Sequence, residues 1–191
     1  ELFKQPLIFL SQSGANPFLE NEIAASEIKI DVVAKLSEPA SQESIDLFLP
    51  FRQPFPNTRI FKDHLVNQSR RLILGRSGIT VVLLDDSQLR RQLATELAAE
   101  FGKRVVHEMT TLEPNGVVLC SWNWWLCNYF HLPLPDQLII ALLPLASLQT
   151  PITALRVAAF KKQGRDWFRD FLLPEALSLL PPAVSPLRLN K

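Results

Sequence analysis

The chain has 191 residues, of which 47% are hydrophobic and 20% charged, with a formal net charge of +1. These values are typical of one globular domain, and a chain of this length buries roughly 70% of its unfolded surface. A net charge this small gives no overall attraction to nucleic acid or acidic lipid, so any basic surface must be local. No apolar run approaches the roughly 20 residues that a membrane helix needs. Without such a run, and without a secretory leader, we expect a cytoplasmic protein.

The ends of the chain and its prolines indicate how it is organised. It begins at Glu1 without a methionine and ends on Lys191, so we expect a piece of a longer chain. Residues 50–57 hold three prolines in eight positions, which excludes a helix or a central strand there. We expect one domain, with an irregular segment over residues 1–57 and a regular core over residues 58–191.

The irregular segment contains short predicted elements of its own. Apolar runs predict strands at residues 6–11 and 28–36. A proline at the first helical position predicts a short helix over residues 17–25. Residues 45–51 are expected to be extended.

From residue 58 onward, apolar runs and helical patterns alternate along the chain. Apolar runs predict four strands, at residues 79–85, 104–108, 117–121 and 138–143. Helical periodicity predicts four helices, at residues 60–75, 87–101, 151–163 and 166–180. Alternating strands and helices are typical of a parallel sheet with crossover helices. We therefore predict an α/β fold with an open, mostly parallel sheet and helices on both faces.

Local signals define the ends of two of these helices. Ser87 is expected to cap the second helix and Gly102 to end it. Its apolar stripe recurs every four residues, at Leu89, Leu93, Leu97 and Phe101. The double proline at Pro181 and Pro182 is expected to end the last helix.

The two cysteines and the histidines give no zinc pattern. Cys120 and Cys127 lie seven residues apart with no second cysteine pair in the chain. We expect both to be buried, reduced thiols. His64, His107 and His131 are scattered, and we expect each of them to be a structural histidine with satisfied hydrogen bonds.

The stretch most relevant to function joins two predicted strands through three tryptophans. In open α/β sheets, ligands bind beyond the carboxyl ends of the strands, and this stretch leaves the sheet at that edge. Trp122, Trp124 and Trp125 could stack on nucleic-acid bases. We expect core packing for at least two of them, because clustered indoles bury a large apolar area.

Two basic clusters are further candidates for nucleic-acid contacts. Arg70 with Arg71 forms one, and Lys161 with Lys162 and Arg165 forms the other. Solvated helix faces would explain both clusters, and contacts to phosphates are the alternative.

Several catalytic motifs do not occur in the chain. It has no phosphate loop of the G-x-x-x-x-G-K-[ST] type and no G-x-G-x-x-G. The GRSG sequence at Gly75–Gly78 is expected to be a turn and not a phosphate cradle. Ser11 and Ser13 lie near Gly14 without the G-x-S-x-G elbow, so we do not expect a serine hydrolase.

The order of elements and several phrases resemble the second RecA-like lobe of DNA helicases of the DinG and XPD type. The phrases are PLIFLSQSGANPF, PFRQPFPN, ITVVLLDD, GVVLCSWNWW, LIIALLPLASLQTPITA and DWFRDFLLPEALSLL. The resemblance covers nearly the whole chain and is strongest over residues 79–180. Its most specific part is the L-P-E-A helix that follows a strand ending in L-P.

This chain departs from the family pattern at several positions. Residues 11–13 read Ser-Gln-Ser where the family has S-A-T. The S-F-W part of S-F-W-E-G-x-D survives at residues 121–125, but Leu126, Cys127 and Tyr129 stand where Glu, Gly and Asp are expected.

The departures extend to the nucleotide-sensing positions. The register of the L-P-E-A phrase puts Pro182 at the family's glutamine and Pro186 at its first arginine, with Arg188 nearby. In the family these positions sense the nucleotide and stabilise charge on the transferring phosphoryl group. Either Arg188 acts as the catalytic arginine after a small shift, or the lobe is degenerate, a non-catalytic nucleic-acid-binding or scaffold lobe.

The resemblance implies a P-loop NTPase second lobe without the phosphate loop. Such a lobe contributes to ATP-coupled translocation on single-stranded DNA together with an N-terminal lobe that carries the phosphate loop and the magnesium site. The full-length protein would bind ATP and Mg²⁺ as cofactors, whereas this chain alone would bind neither. This chain alone should not hydrolyse ATP. The implied partners are the N-terminal lobe and single-stranded DNA, without a membrane, and we expect a monomer. A small-molecule enzyme on an α/β sheet is disfavoured because the glycine-rich loop is missing.

We predict that residues 1–191 alone bind ATP no more tightly than millimolar, because they contain no phosphate loop. Isothermal titration calorimetry with Mg-ATP measures this directly. Micromolar binding would contradict the prediction.

Overall fold

The computed structural model describes residues 45–189. They belong to the second of the two units into which the chain divides, Glu43–Lys191. The elements predicted at residues 6–11, 17–25 and 28–36 lie outside the described residues. Residues 45–50 have no regular secondary structure, and the proline-rich stretch that follows forms turns.

Four short strands form one sheet in which every neighbouring pair is parallel. They are β1 (Thr80–Leu83), β2 (Val105–His107), β3 (Val117–Cys120) and β4 (Gln137–Ile140). The strand order is β2-β3-β1-β4. Thr80 of β1 is opposite Val117 of β3 on one side and Gln137 of β4 on the other. The predicted α/β fold with an open parallel sheet flanked by helices is confirmed.

The described residues contain six α-helices. They are α1 (Arg59–Gly75), α2 (Ser87–Phe101), α3 (Trp122–Asn128), α4 (Pro151–Lys162), α5 (Leu173–Leu177) and α6 (Leu180–Val184). A π-helical turn (Phe168–Leu172) precedes α5, and a 3-10 turn (Ser185–Leu189) follows α6. Within residues 45–189 no helix has the length and hydropathy to cross a bilayer.

The two central strands, β1 and β3, are fully buried, as a parallel sheet covered on both faces requires. Successive side chains point to opposite faces of a sheet. One face buries Val82, Leu84, Val117 and Leu119 against α1 and α2. The other face buries Val81, Leu83, Val118 and Cys120 against Trp122, Trp125 and Ala183.

A third apolar cluster holds the segment that follows β4. Val157 of α4 packs against Phe171 and Leu172 of the π turn. The rings of Phe160 and Phe171 stack with their centres 5.4 Å apart. Asp166 caps the π turn, because its Oδ1 accepts hydrogen bonds from the backbone N–H groups of the second and third residues after it.

Four sequence predictions about element ends are wrong in detail. β4 ends at Ile140 and not at residue 143, and its neighbour β1 ends at Leu83 and not at residue 85. Asp86, not Ser87, caps α2, since its carboxylate accepts a hydrogen bond from the N–H of Leu89 at 2.8 Å. The helix predicted to reach residue 180 ends at Leu177, and Pro181 and Pro182 lie in the first turn of α6 instead of ending a helix. A proline is tolerated in the first turn because the N–H that it lacks would have no intrahelical partner there.

The expectation that both thiols are buried is correct for only one of them. Both cysteines are free, but Cys120 is buried in β3 whereas Cys127 is exposed on α3. Burial raises the pKa of the Cys120 thiol, and the nearby carboxylate of Glu108 raises it further. Cys120 is therefore a protonated, inert core residue.

Leu93→Ala tests the packing of α2 on the sheet. Leu93 is fully buried in the apolar cluster under the sheet. Truncation should leave a cavity and lower the free energy of unfolding by about 2–5 kcal/mol. Chemical denaturation measures the loss. The matched control is Leu155→Ala on α4, whose side chain is 71% exposed and whose loss should cost less than about 0.5 kcal/mol. Equal costs for the two variants would contradict the packing.

Candidate functional site

The candidate site is the edge of the sheet at which the parallel strands end. The connection after β1 passes through α2 to reach β2, on the face that α2 covers. The connection after β3 passes through α3 on the opposite face to reach β4. These two connections leave the sheet on opposite faces, and ligands of open α/β sheets bind beyond the carboxyl ends of the strands.

Arg90 joins the ends of two strands at this edge. Its side chain, 9% exposed, comes from the first turn of α2. The guanidinium donates to the carbonyl oxygen of Leu84 at 2.7 Å and to Nε2 of His107 at 3.1 Å. It also lies 3.5 Å from Oε1 of Glu108. A buried guanidinium needs such partners, because an uncompensated buried charge is strongly destabilising.

Glu108 carries the network to the third strand. Its Oε1 accepts hydrogen bonds from the hydroxyl of Ser121 at 2.7 Å and from the backbone N–H of Ser121 at 3.1 Å. Its backbone has φ of +48°, in the left-handed region that residues other than glycine seldom adopt. Strained backbone of this kind persists where surrounding contacts over-determine it. The ends of β1, β2 and β3 are thus held together by side chains.

The charge of Glu108 is stabilised by these contacts. Partial burial acts to raise the pKa of Glu108, but the two hydrogen bonds from Ser121 and the charge of Arg90 act against it and prevail. The pKa of Glu108 therefore lies below its ordinary value, and the side chain is a carboxylate at neutral pH.

Two polar side chains satisfy the first turn of α3. The hydroxyl of Ser121 accepts a hydrogen bond from the N–H of Trp124, and Oδ1 of Asp85 accepts one from the N–H of Trp122 at 3.0 Å. Asp85 follows β1, so this bond links the ends of β1 and β3. A carboxylate at this position also opposes the positive end of the helix dipole. A phosphate group would have to displace Asp85 to bind there.

The chemistry of this edge is that of a rigid and acidic surface. Asp85, Asp86 and Glu108 all lie at the ends of strands, and each accepts a hydrogen bond from the protein itself. No group of three histidine, cysteine or carboxylate side chains in residues 45–189 is arranged to hold a metal ion. The edge can orient the loops above it.

A shallow groove of about 190 Å³ lies next to this edge. It is smaller than the roughly 300 Å³ at which small-molecule pockets begin. Asp86 lines it, but that side chain already caps α2. The other lining residues come from the segment before α1 and from the exposed side of the two helices: Pro56, Thr58, Phe61, Lys62, Gln88, Leu89 and Gln92.

The structure separates the three tryptophans by burial. Trp122 is 2% exposed and Trp125 is fully buried. Their indole N–H groups donate to the carbonyl oxygens of Leu142 and Ala183, both at 2.9 Å. Neither ring has a face for a base, so both have the core role that the sequence analysis expected for at least two of the three. Trp124 is partly exposed and is the remaining candidate for stacking.

The two basic clusters lie on different parts of the domain. Arg70 lies on α1, where it forms an ion pair with Glu100 of α2, and Arg71 is exposed beside it. Both are near the end of α1 that leads into β1, and hence towards the edge opposite the candidate site. Lys161, Lys162 and Arg165 lie at the end of α4, beside the third apolar cluster. The structure does not bring the two clusters together.

Arg188 lies in the 3-10 turn after α6 and is partly buried. The preceding helix is anchored to α3, because the indole N–H of Trp125 donates to the carbonyl oxygen of Ala183. The turn therefore follows directly from an element that packs against the helix starting at the candidate edge.

The residues that organise the edge were not predicted from the sequence. Asp85 and Glu108 are the last residues of two predicted strands, and that position is a usable signal for a site residue. Arg90 gives no comparable signal, because an arginine in the first turn of a helix is ordinarily solvated. The expectation of a structural histidine with satisfied hydrogen bonds agrees with the bond that His107 receives from Arg90. It is wrong for His64, whose Nε2 is buried with no hydrogen-bond partner among the described residues.

The GRSG turn lies at the opposite edge of the sheet, before β1. Gly78 has φ of +105°, and a Cβ there would collide with the carboxylate of Asp136. The N–H of Gly78 donates to Oδ1 of Asn115 at 2.6 Å, and that of Ile79 to Oδ2 of Asp136 at 2.7 Å. These bonds account for the turn without a phosphate.

In comparisons with known proteins, no family model, no curated protein and no solved structure matches this chain.

Glu108→Gln tests the charge at the edge. The folded pKa of Glu108 is below its ordinary value of 4.5, so its carboxylate adds stability above that pH. This contribution is lost as the pH falls through the folded pKa. The glutamine variant should be less stable than the wild type at pH 7 by about 1 kcal/mol. Its free energy of unfolding should also fall less steeply than that of the wild type as the pH is lowered. Urea denaturation over a pH series measures both effects. Glu96→Gln, on the surface of α2, is the control and should change neither; parallel pH profiles of wild type and Glu108→Gln would contradict the prediction.

Proposed function

We propose that this chain is the second RecA-like lobe of an ATP-dependent DNA helicase of the DinG and XPD type. In this proposal it contributes to ATP-coupled translocation on single-stranded DNA, together with a first lobe that supplies the phosphate loop. The lobe presents the carboxyl edge of its sheet to the nucleotide held by that partner lobe.

The observation that carries the proposal is the position of the family-like phrase SWNWW. Ser121 is the residue directly after β3, and it caps α3 at the carboxyl edge of the sheet. The phrase that resembles the helicase motif therefore begins at the edge where parallel sheets bind their ligands. The parallel sheet and the DWFRDFLLPEA phrase, which forms the π turn and α5, are compatible with the same family.

The nucleotide and its metal would be held mainly by the partner lobe. In such enzymes the phosphates lie in a cradle of backbone N–H groups, and a lysine and Mg²⁺ neutralise their charge. The described residues do not fit that role, since the edge is acidic and no three side chains there form a metal site. What this lobe can contribute is an arginine, and Arg188 is the candidate.

A second candidate function is a degenerate lobe that binds or organises without hydrolysis. The observation that favours it is that the polar groups of the edge already bond to one another: Ser121 to Glu108, and Asp85 to the first turn of α3. Pro182 and Pro186 strengthen it, because proline cannot replace the glutamine or the arginine of the family.

Arg188→Ala separates the two functions in the full-length protein that the proposal requires. If Arg188 stabilises the transferring phosphoryl group, its loss should lower DNA-stimulated ATP turnover by about 10³-fold. Affinity for single-stranded DNA should hardly change, because such an arginine acts on the transition state and not on the strand. Steady-state phosphate release and fluorescence anisotropy measure the two quantities.

Two variants control this experiment. Arg188→Lys keeps the charge but loses the planar fork, so it should restore only part of the turnover. Arg91→Ala, an exposed arginine on α2, should leave turnover unchanged. Negligible turnover by the unmodified full-length protein, with intact DNA binding, would reject the motor and support the degenerate lobe.

A further inference from the structure

A compact group of cations and aromatic rings occupies the turn between α4 and α5. We name it the basic–aromatic turn; it consists of Lys161, Lys162, Arg165, Trp167, Phe168 and Arg169. Four cations in nine positions give a local positive charge on a chain that is otherwise nearly neutral. Two acids, Asp166 and Asp170, accompany them.

The two acids do not cancel the cations of this turn. Asp166 uses Oδ1 to cap the π turn, accepting from two backbone N–H groups at 3.1 Å, and its Oδ2 lies 3.7 Å from Arg169. Asp170 pairs with Arg165 at 3.3 Å. The side chains of Arg165 and Arg169 remain 48% and 81% exposed, so both are open to a further anion.

Aromatic rings lie between these cations. The ammonium group of Lys161 lies 5.4 Å from the ring centre of Trp167. The side chain of Phe168 is 40% exposed, and its ring meets Trp167 edge-on at 6.3 Å between centres. Phe168 thus presents a ring to solvent next to Trp167, the ring that Lys161 contacts. Base–aromatic stacking next to phosphate-binding cations is how proteins hold single strands without reading their sequence.

The turn is held on a rigid support. Trp167 and Phe160 pack against the buried cluster of Val157, Phe171 and Leu172. Arg165 lies over the ring of Phe160 at 4.6 Å. Aromatic rings and cations fixed by packing lose little further freedom when a ligand binds.

The position of the lysines alone has a simpler explanation. Lys161 and Lys162 are in the last turn of α4, where a cation interacts favourably with the helix dipole. That explanation accounts for the lysines, but not for Arg165, for Arg169 or for an exposed phenylalanine beside them.

We propose that the basic–aromatic turn binds single-stranded DNA, with Phe168 stacking on a base and Lys161, Lys162, Arg165 and Arg169 contacting phosphates. The choice of DNA as the nucleic acid rests on the proposed function. This proposal assigns base stacking to Phe168 and not to Trp122 or Trp125, which are buried. It adds Trp167, Phe168 and Arg169 to the basic residues that the sequence already indicated.

Fluorescence anisotropy of the whole chain tests the proposal, with a labelled oligothymidine at about 50 and about 200 mM salt. Phe168→Leu removes the ring but keeps an apolar side chain, and it should weaken binding about 10-fold without changing the salt dependence. The double variant Lys161→Ala, Lys162→Ala should weaken binding and reduce the slope of log K against log salt by about 1.4, or about 0.7 for each phosphate contact.

Each of these variants has a matched control elsewhere in the chain. Phe130→Leu alters another exposed phenylalanine, 64% exposed, and should bind as the wild type does. Arg91→Ala with Lys103→Ala removes two exposed charges from α2 and the turn after it, and should also leave binding unchanged. Thermal melting shows that each variant is folded. Equal losses in the controls, unchanged affinity in both turn variants, or binding to phosphatidylserine vesicles but not to the oligonucleotide would overturn the proposal.

The outcome is separable from that of the helicase proposal. If the full-length protein hydrolyses ATP in response to DNA but both turn variants behave as wild type, the turn is rejected and the helicase lobe stands. If the turn variants lose DNA binding while the full-length protein has no ATPase activity, the turn stands as part of a binding lobe. A chain that does not bind the oligonucleotide at all rejects the turn, and ATP turnover by the full-length protein then decides the helicase proposal alone.

Discussion

The guanidinium of Arg90 is the contact on which the candidate edge depends. Among the described residues it is the buried cation, and it bonds simultaneously to a carbonyl after β1 and to side chains at the end of β2. Glu108 extends the same network to Ser121 after β3. A buried charge is tolerated only while its partners remain in place. The three loops above the sheet therefore cannot move apart independently, and this constraint gives the edge its fixed shape.

Much of the fold follows from patterns that act over short distances. The buried runs around Val82 and Leu119, and the leucine stripe of α2, were sufficient to predict a parallel sheet with a covering helix. The errors arose where the neighbour decides the outcome. β4 ends opposite the last residue of β1, and the sequence of residues 141–143 does not predict that end. Pro181 breaks no helix, because α5 ends at Leu177 and Pro181 lies in the first turn of α6.

The site was harder to predict because its contacts join residues that are distant in sequence. Ser121 and Glu108 meet across 13 positions, and Trp122 and Asp85 across 37. The sequence shows that the SWNWW phrase is rich in aromatic residues, but it does not show which of them are buried. A tryptophan has the same sequence signal whether its indole N–H donates to water or to the carbonyl of Leu142. The pattern indicated the correct edge of the sheet, since strand ends can be read from sequence, and it could not indicate which rings face inward.

The arrangement bears on how a family-like lobe could lose or keep a motor function. A transition state with developing charge on phosphate needs donors that are free to turn towards it. At this edge the donors are committed: the first N–H of α3 is taken by Asp85, and Arg90 is buried beneath Glu108. The proposed catalytic arginine, Arg188, belongs to the 3-10 turn after α6. The basic–aromatic turn packs on a separate apolar cluster, so it does not depend on the state of this network. In a lobe of the proposed kind, hydrolysis at one site and nucleic-acid binding at the other would therefore not depend on each other.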